Sequence, residues 1–137
     1  MNTIGVEFSN FLCDEFGLTF GEDFFYMRVP DVEGPVFWMT MVGSLVDRDL
    51  KTKQKIKEYQ FLLSYRNKSA QKVDEEIFQI ETILNRLTCV HLEHYDLYAI
   101  RTSNLGAYED IDMEGRFKGT IQIAVKIHDD YSDDCSE

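Results

Sequence analysis

Proline is scarce in this chain: there are two, Pro30 and Pro35, both in one short stretch. With 13% aromatic residues besides, the composition excludes wholesale disorder, which needs a chain poor in large apolar side chains. Cysteine is also sparse. Cys13, Cys89 and Cys135 are an odd number at unrelated spacings, which argues against a disulfide framework. Long apolar runs are missing, since none approaches the ~20 residues that a membrane-spanning helix needs. No basic flank precedes the first apolar positions. A soluble, intracellular protein without membrane contact is therefore expected. Positive charge is in short supply too: 14 Lys and Arg stand against 25 Asp and Glu, a net charge of −11. Such a balance weakens general attraction to nucleic acid and favours solubility. The shortage is most marked at residues 129–137, where Asp129, Asp130, Asp133, Asp134 and Glu137 have no basic residue among them. With no internal repeat and no linker, residues 1–128 read as a single domain. Residues 129–137 read as an acidic, solvated tail.

What is present is organised around residues 55–87, KIKEYQFLLSYRNKSAQKVDEEIFQIETILNRL. Tyr59, Phe61, Leu63 and Tyr65 alternate with Glu58, Gln60, Ser64 and Arg66, the period of a strand with one buried face. After Asn67 the period lengthens. Val73, Ile77, Ile80, Leu84 and Leu87 form an apolar stripe at helical spacing, and Ser69 is placed to cap the first turn. Residues 3–16 give a shorter helix with Ile4, Phe8, Phe11, Leu12 and Phe16 on one face, Thr3 as its cap and Gly17 as its stop. Residues 24–29 read as an aromatic strand ended by Pro30, and 30–35 as a turn. The segment 36–42, VFWMTMV, is apolar on both faces and reads as a central strand or one covered on both sides. Residues 95–102 give a further strand, 103–115 an exposed acidic loop, and 117–128 the clearest strand of all, with Ile121, Ile123, Val125 and Ile127 facing one way. The expected fold is α+β in the order αβββαββ: a mainly antiparallel sheet of about five strands with two flanking helices.

One local pattern is unusual. Lys51, Lys53, Lys55 and Lys57 continue the same strand face that further on carries Tyr59, Phe61 and Leu63. A face that is core at one end and lysine at the other suggests a strand that outruns its own core. The arms around Asp47, Arg48, Asp49 and Leu50 are therefore expected to form a projecting β-hairpin. The alternative is a solvated loop whose charge discourages edge pairing.

No catalytic constellation emerges. Cys89, His91 and His94 lie close together in CVHLEH, but their spacing matches no structural zinc pattern. Ser44 in VGSLVD lacks the glycine that a nucleophile elbow requires two positions on. No glycine-rich phosphate loop joins a strand to a helix. Glu109, Asp110, Asp112 and Glu114 could approach a divalent cation, yet they lack the ligand order of a calcium loop around a central glycine. Neither an enzyme nor a cofactor is called for.

Three blocks together resemble the tail terminator proteins (also called tail completion or minor capsid proteins) of long-tailed bacteriophages. These are GPVFWMTMVGSLVDRDL, a proline-led aromatic strand entering a charged hairpin tip; YQFLLSYRNKSAQKVDEEIFQIETILNRL, a strand and long helix; and LGAYEDIDMEGRFKGTIQIAVKI, an acidic loop entering the last strand. The resemblance covers most of the chain and is one of element order. It implies a non-catalytic subunit of a homo-oligomeric ring, a hexamer, in the neck of a virion. Such a ring stops growth of the tail tube, offers the docking surface for the head–tail connector protein, and passes DNA through its lumen without gripping it. On that resemblance Arg48, Asp49, Lys51, Lys53 and Lys55 are candidates for contacts with neighbouring subunits or the tail tube protein. Glu109, Asp110, Asp112, Glu114 and Arg116 are candidates for the lumen or an axial face. Two further readings stay open: another head–tail joining component, or a small α+β enzyme or ligand-binding domain.

Overall fold

The computed structural model describes residues 3–30, 34–48, 55–109 and 115–129. Helix α1 (Ile4–Phe16) starts where Thr3 Oγ1 accepts the Val6 N–H and ends at Gly17, whose left-handed φ of 67° turns the chain so that the Leu18 N–H reaches the Cys13 carbonyl at 2.8 Å. Helix α2 (Ala70–Arg86) is capped by Ser69, which accepts the Lys72 N–H at 3.3 Å. Among the described residues six strands make one sheet: β1 (Phe24–Tyr26), β2 (Val36–Arg48), β3 (Lys55–Asn67), β4 (Cys89–His91), β5 (Asp96–Glu109) and β6 (Phe117–Asp129). Their spatial order is β1-β2-β3-β6-β5-β4. β1 runs parallel to β2, and every other neighbouring pair is antiparallel.

The alternation read in β3 and β6 decides which face is buried. Phe61 pairs with Ile123 and Leu63 with Ile121, and all four are essentially inaccessible. A slip of one residue would turn this whole row out of the core, so the register is strongly fixed. Both helices cover that face. α2 lies over β3, β6 and β5, and α1 over β1 and β2. Its stripe of Val73, Ile77, Ile80 and Leu84 joins Ile4, Phe8 and Leu12 of α1 in one continuous core. Each such side chain contributes about 1.5–3 kcal/mol by leaving water. β2 feeds both faces, as its two-sided apolar pattern implies. Phe37 and Met39 enter the main core, while Val36 and Trp38 form a small second cluster with Phe25 on the opposite face. There the Arg66 guanidinium lies 5.2 Å from the Trp38 ring centroid and donates to the Pro30 carbonyl at 2.8 Å. Buried Ser64 and Thr120 share a hydroxyl hydrogen bond of 3.1 Å across β3 and β6.

The α+β class and both helices agree with the sequence reading, but the sheet differs in detail. It has six strands, because β4 closes as a short ribbon onto Asp96–Tyr98 of β5. The strand expected over 24–29 stops at Tyr26, since Met27 takes a left-handed φ of 65°. The exposed loop expected over 103–115 is strand as far as Glu109. Register shifts between Tyr98 and Arg101 and between Asn104 and Ala107 hide its alternation. The β2–β3 arm is paired out to Arg48↔Lys55, but it is not a bare two-stranded finger. β6 accompanies β3 to Lys55↔Asp129, so three long strands run side by side. Asp129, expected to open the tail, is the last residue of β6, and 130–137 lie outside the described residues.

Helix α2 packs closely on β6 at Gly119. A Cβ there would come within 2.7 Å of Ile77 Cγ1 and 2.8 Å of Val73 Cγ1, neither a flexible side-chain end. Gly119→Ala is expected to destabilise the fold by about 1–3 kcal/mol through overpacking, read as a lower urea midpoint at unchanged slope. An unaltered midpoint would mean that α2 does not sit this close to β6.

Candidate functional site

The feature that distinguishes this sheet is at its β2 border. β1 covers the outer side of β2 only at Phe37, Trp38 and Met39. Just beyond, the Met27 N–H donates to the Met39 carbonyl at 2.8 Å, and the Met41 N–H reaches the Met27 sulfur at 3.3 Å. From residue 42 to 48, no described strand lies outside β2. A β-bulge between Met41 and Gly43 sets two residues of β2 against Gln60 of β3. The span that follows contains neither Lys nor Pro, the residues that usually blunt an edge strand. It exposes apolar side chains instead: Val42 is 50% exposed, Leu45 59% and Val46 60%. An extended backbone with no described strand beside it, flanked by apolar side chains, is the kind of edge to which another strand can add.

The residues singled out by sequence are placed as follows. Arg48 and Lys55 are a cross-strand pair at the far end of the β2–β3 ladder. Asp49, Lys51 and Lys53 lie outside the described residues, as do Asp110, Asp112 and Glu114. Glu109 ends β5 opposite Phe117. Arg116 is buried, 8% exposed, so its side chain belongs to the interior of the fold. Lys57, the end of the lysine row, is half-buried with its ammonium 5.5 Å from the Tyr59 ring centroid. Its aliphatic stem can cover apolar surface while the charge stays wet, which is how a lysine shares a face with the core.

The residues of CVHLEH divide into two groups. Cys89 Sγ is 4.0 Å from His91 Nε2, and His91 Nδ1 is 2.7 Å from Asp96 Oδ1, all exposed. His94 instead meets Glu7 of α1. The buried Glu7 carboxylate accepts the His94 backbone N–H at 2.8 Å, and its other oxygen lies 2.5 Å from His94 Nδ1. Burial pushes the Glu7 pKa up, but hydrogen bonds from the His94 backbone and ring outweigh it, and the carboxyl titrates below its ordinary value. Glu7, Glu93 and His94 bring one ligand-type atom each to within 4.8 Å of one another. Both Glu7 oxygens are already engaged, so the cluster acts as a clip that ties α1 to the turn after β4. Two clefts among the described residues are shallow. One of about 290 Å³ is lined by Gly34, Pro35, Asn67 and Lys68, and one of about 220 Å³ lies beside Glu7, Phe11 and His91. Both fall below the ~300–1,000 Å³ usual for small-molecule sites. Buried Cys13 is not a poised nucleophile, because burial and the nearby Asp14 and Asp23 push its thiol up to about 11.

The apolar edge residues Val42, Leu45 and Val46 escape sequence reasoning because an edge strand and a central strand can share one composition. Phe78 was missed too, although its position carries a signal. It falls off the stripe of Ile77, Ile80 and Leu84 and is 63% exposed.

The clip makes a pH prediction with a definite sign. A carboxyl whose folded pKa is depressed stabilises the fold above its unfolded pKa, and that share is lost as pH falls through the folded value. Glu7→Gln is expected to cost about 1–3 kcal/mol at neutral pH and to flatten the acid side of the stability profile below about pH 4.5. Urea titrations from neutral to acid pH test this; parallel profiles for the two proteins would refute it. No protein-family model matches this chain, and no curated protein matches it either.

Proposed function

We propose that this chain is a structural ring subunit of a bacteriophage neck, one that caps the tail tube, stops its elongation and presents the surface to which the head docks. The observation that carries the reading is the open apolar border of β2. A subunit whose sheet ends in a strand with no described neighbour can take one there, and a ring of identical subunits supplies it at every position. On this reading six copies close around a lumen that conducts DNA. A subunit of net charge −11 favours passage over capture, because each phosphate neutralised by Lys or Arg adds affinity. Arg48, Asp49, Lys51, Lys53 and Lys55 serve the contacts with neighbouring subunits or the tail tube protein. Glu109, Asp110, Asp112 and Glu114 face the lumen or an axial surface, with buried Arg116 set back from it. The second axial surface receives the head–tail connector protein, and the site of action is the virion after assembly in the host cytoplasm.

Negative-stain imaging of concentrated protein is expected to show six-fold rings. Protein added to polymerising tail tube protein is expected to yield shorter tubes with a ring at one end. Replacing Lys51, Lys53 and Lys55 together by Glu is expected to weaken that capping at low salt. Tubes that grow to the same length with and without the protein would refute the terminator role. Binding to the connector alone would point to another head–tail joining component.

A further inference from the structure

The open border of β2 has a counterpart on the opposite side of the same sheet. β4 covers β5 only at Asp96, Leu97 and Tyr98, so the outer side of β5 from 99 to 109 has no described strand beside it either. The two open spans, seven residues of β2 and eleven of β5, are diagonally placed. Tyr98 stands level with Lys126 and Glu58, and so with Leu45, which puts β4 at the hairpin end of the sheet. β1 lies at the other end, level with Leu63 and Ile121. Each short edge strand thus stands at the end opposite the other. Successive antiparallel steps from β2 through β3 and β6 to β5 make β2 and β5 run in opposite directions.

We propose that copies of this chain join head to tail by pairing the 42–48 edge of β2 in one copy, antiparallel, with the 99–109 edge of β5 in the next. The result is one continuous sheet with all helices on the same side. Opposite strand direction is the condition for antiparallel ladder bonds between these two edges. The diagonal offset lets β1 of one copy lie past the end of β5 in its neighbour, where the two would otherwise collide.

Side chains agree with the backbone. On the β5 flank Leu105 is 52% exposed, and Phe78 of α2 is 63% exposed. Phe78 lies two helical turns from Asn85, which accepts a hydrogen bond from Thr102 of β5, so it sits on the β5 side of α2. These face Val42 and Val46 of the neighbour. Charged residues stand at both ends. The Arg48 end of β2, followed in sequence by Lys51 and Lys53, meets the β4 end of β5, where Glu93 and Asp96 are exposed. Arg28, exposed just after β1, comes toward the Glu109 end. The contact is heterologous, so it can close into a ring or extend as a filament. It rests on the ring reading for closure alone, and a filament built on this contact would retain it while refuting the ring.

The test is disulfide trapping in full-length protein carrying Cys89→Ser and Cys135→Ser, with folding checked by circular dichroism. A chain bearing both Val46→Cys and Thr102→Cys is expected to give a ladder of cross-linked oligomers under mild oxidation. Val46→Cys alone is expected to remain uncross-linked. In parallel, Leu45→Lys and Leu105→Lys in the otherwise unchanged chain are each expected to weaken self-association by about tenfold in light scattering. Dimers from Val46→Cys alone would mean that β2 pairs with itself, which overturns the proposal. Oligomers in solution with no ladder from Val46→Cys paired with either Thr102→Cys or Asn104→Cys would also overturn it, leaving the ring reading intact. A monomer at every concentration up to the millimolar range would overturn the contact outright.

Discussion

The structure depends on the burial of one row of side chains. Phe61 and Leu63 of β3 and Ile121 and Ile123 of β6 form the floor on which both helices rest, and all are at most 1% exposed. Register, strand order and helix placement follow from keeping that row dry. Gly119 extends the same logic to the backbone, because α2 approaches β6 so closely that Val73 and Ile77 occupy the space of a side chain. With only one face of the sheet covered by helices, the other must be made tolerable in water. It is, through Trp38 packed under Arg66, the Ser64–Thr120 hydroxyl pair, and the ion pair of Glu58 with Arg101.

Most of this was readable where one physical signal acted alone. The caps of both helices, the stripe of α2 and the alternation of β3 and β6 each have a single local cause, and each appears in the structure where the sequence places it. Reading failed where two signals overlapped. In β5 the bulges near Ala99 and Gly106, with φ of 50° and 92°, break the period of two, so residues 103–109 look like loop although they pair with β6. β4 has three residues, with only Val90 buried, too few for any period to show. β1 stops early for a conformational reason invisible in FFYMRV.

The candidate site illustrates a different limit. Sequence could nominate charged residues at the hairpin tip, because a lysine row on a core face is conspicuous. It could not nominate Val42, Leu45 and Val46, because an apolar strand announces burial and says nothing about which neighbour provides it. That information sits in the strand order, and above all in where the covering strands stop. The Glu7–His94 clip was hidden for a related reason: its partners are 87 positions apart in the chain.

Met27 shows how little is needed to leave a sheet unfinished. A residue with a side chain in the left-handed region costs about 1–2 kcal/mol, and here that single dihedral diverts the chain after three residues of β1. Had the backbone stayed extended, the same segment would have run on alongside β2 and saturated its hydrogen-bonding groups from within. One torsion angle therefore decides how much of β2 the chain lines with its own backbone.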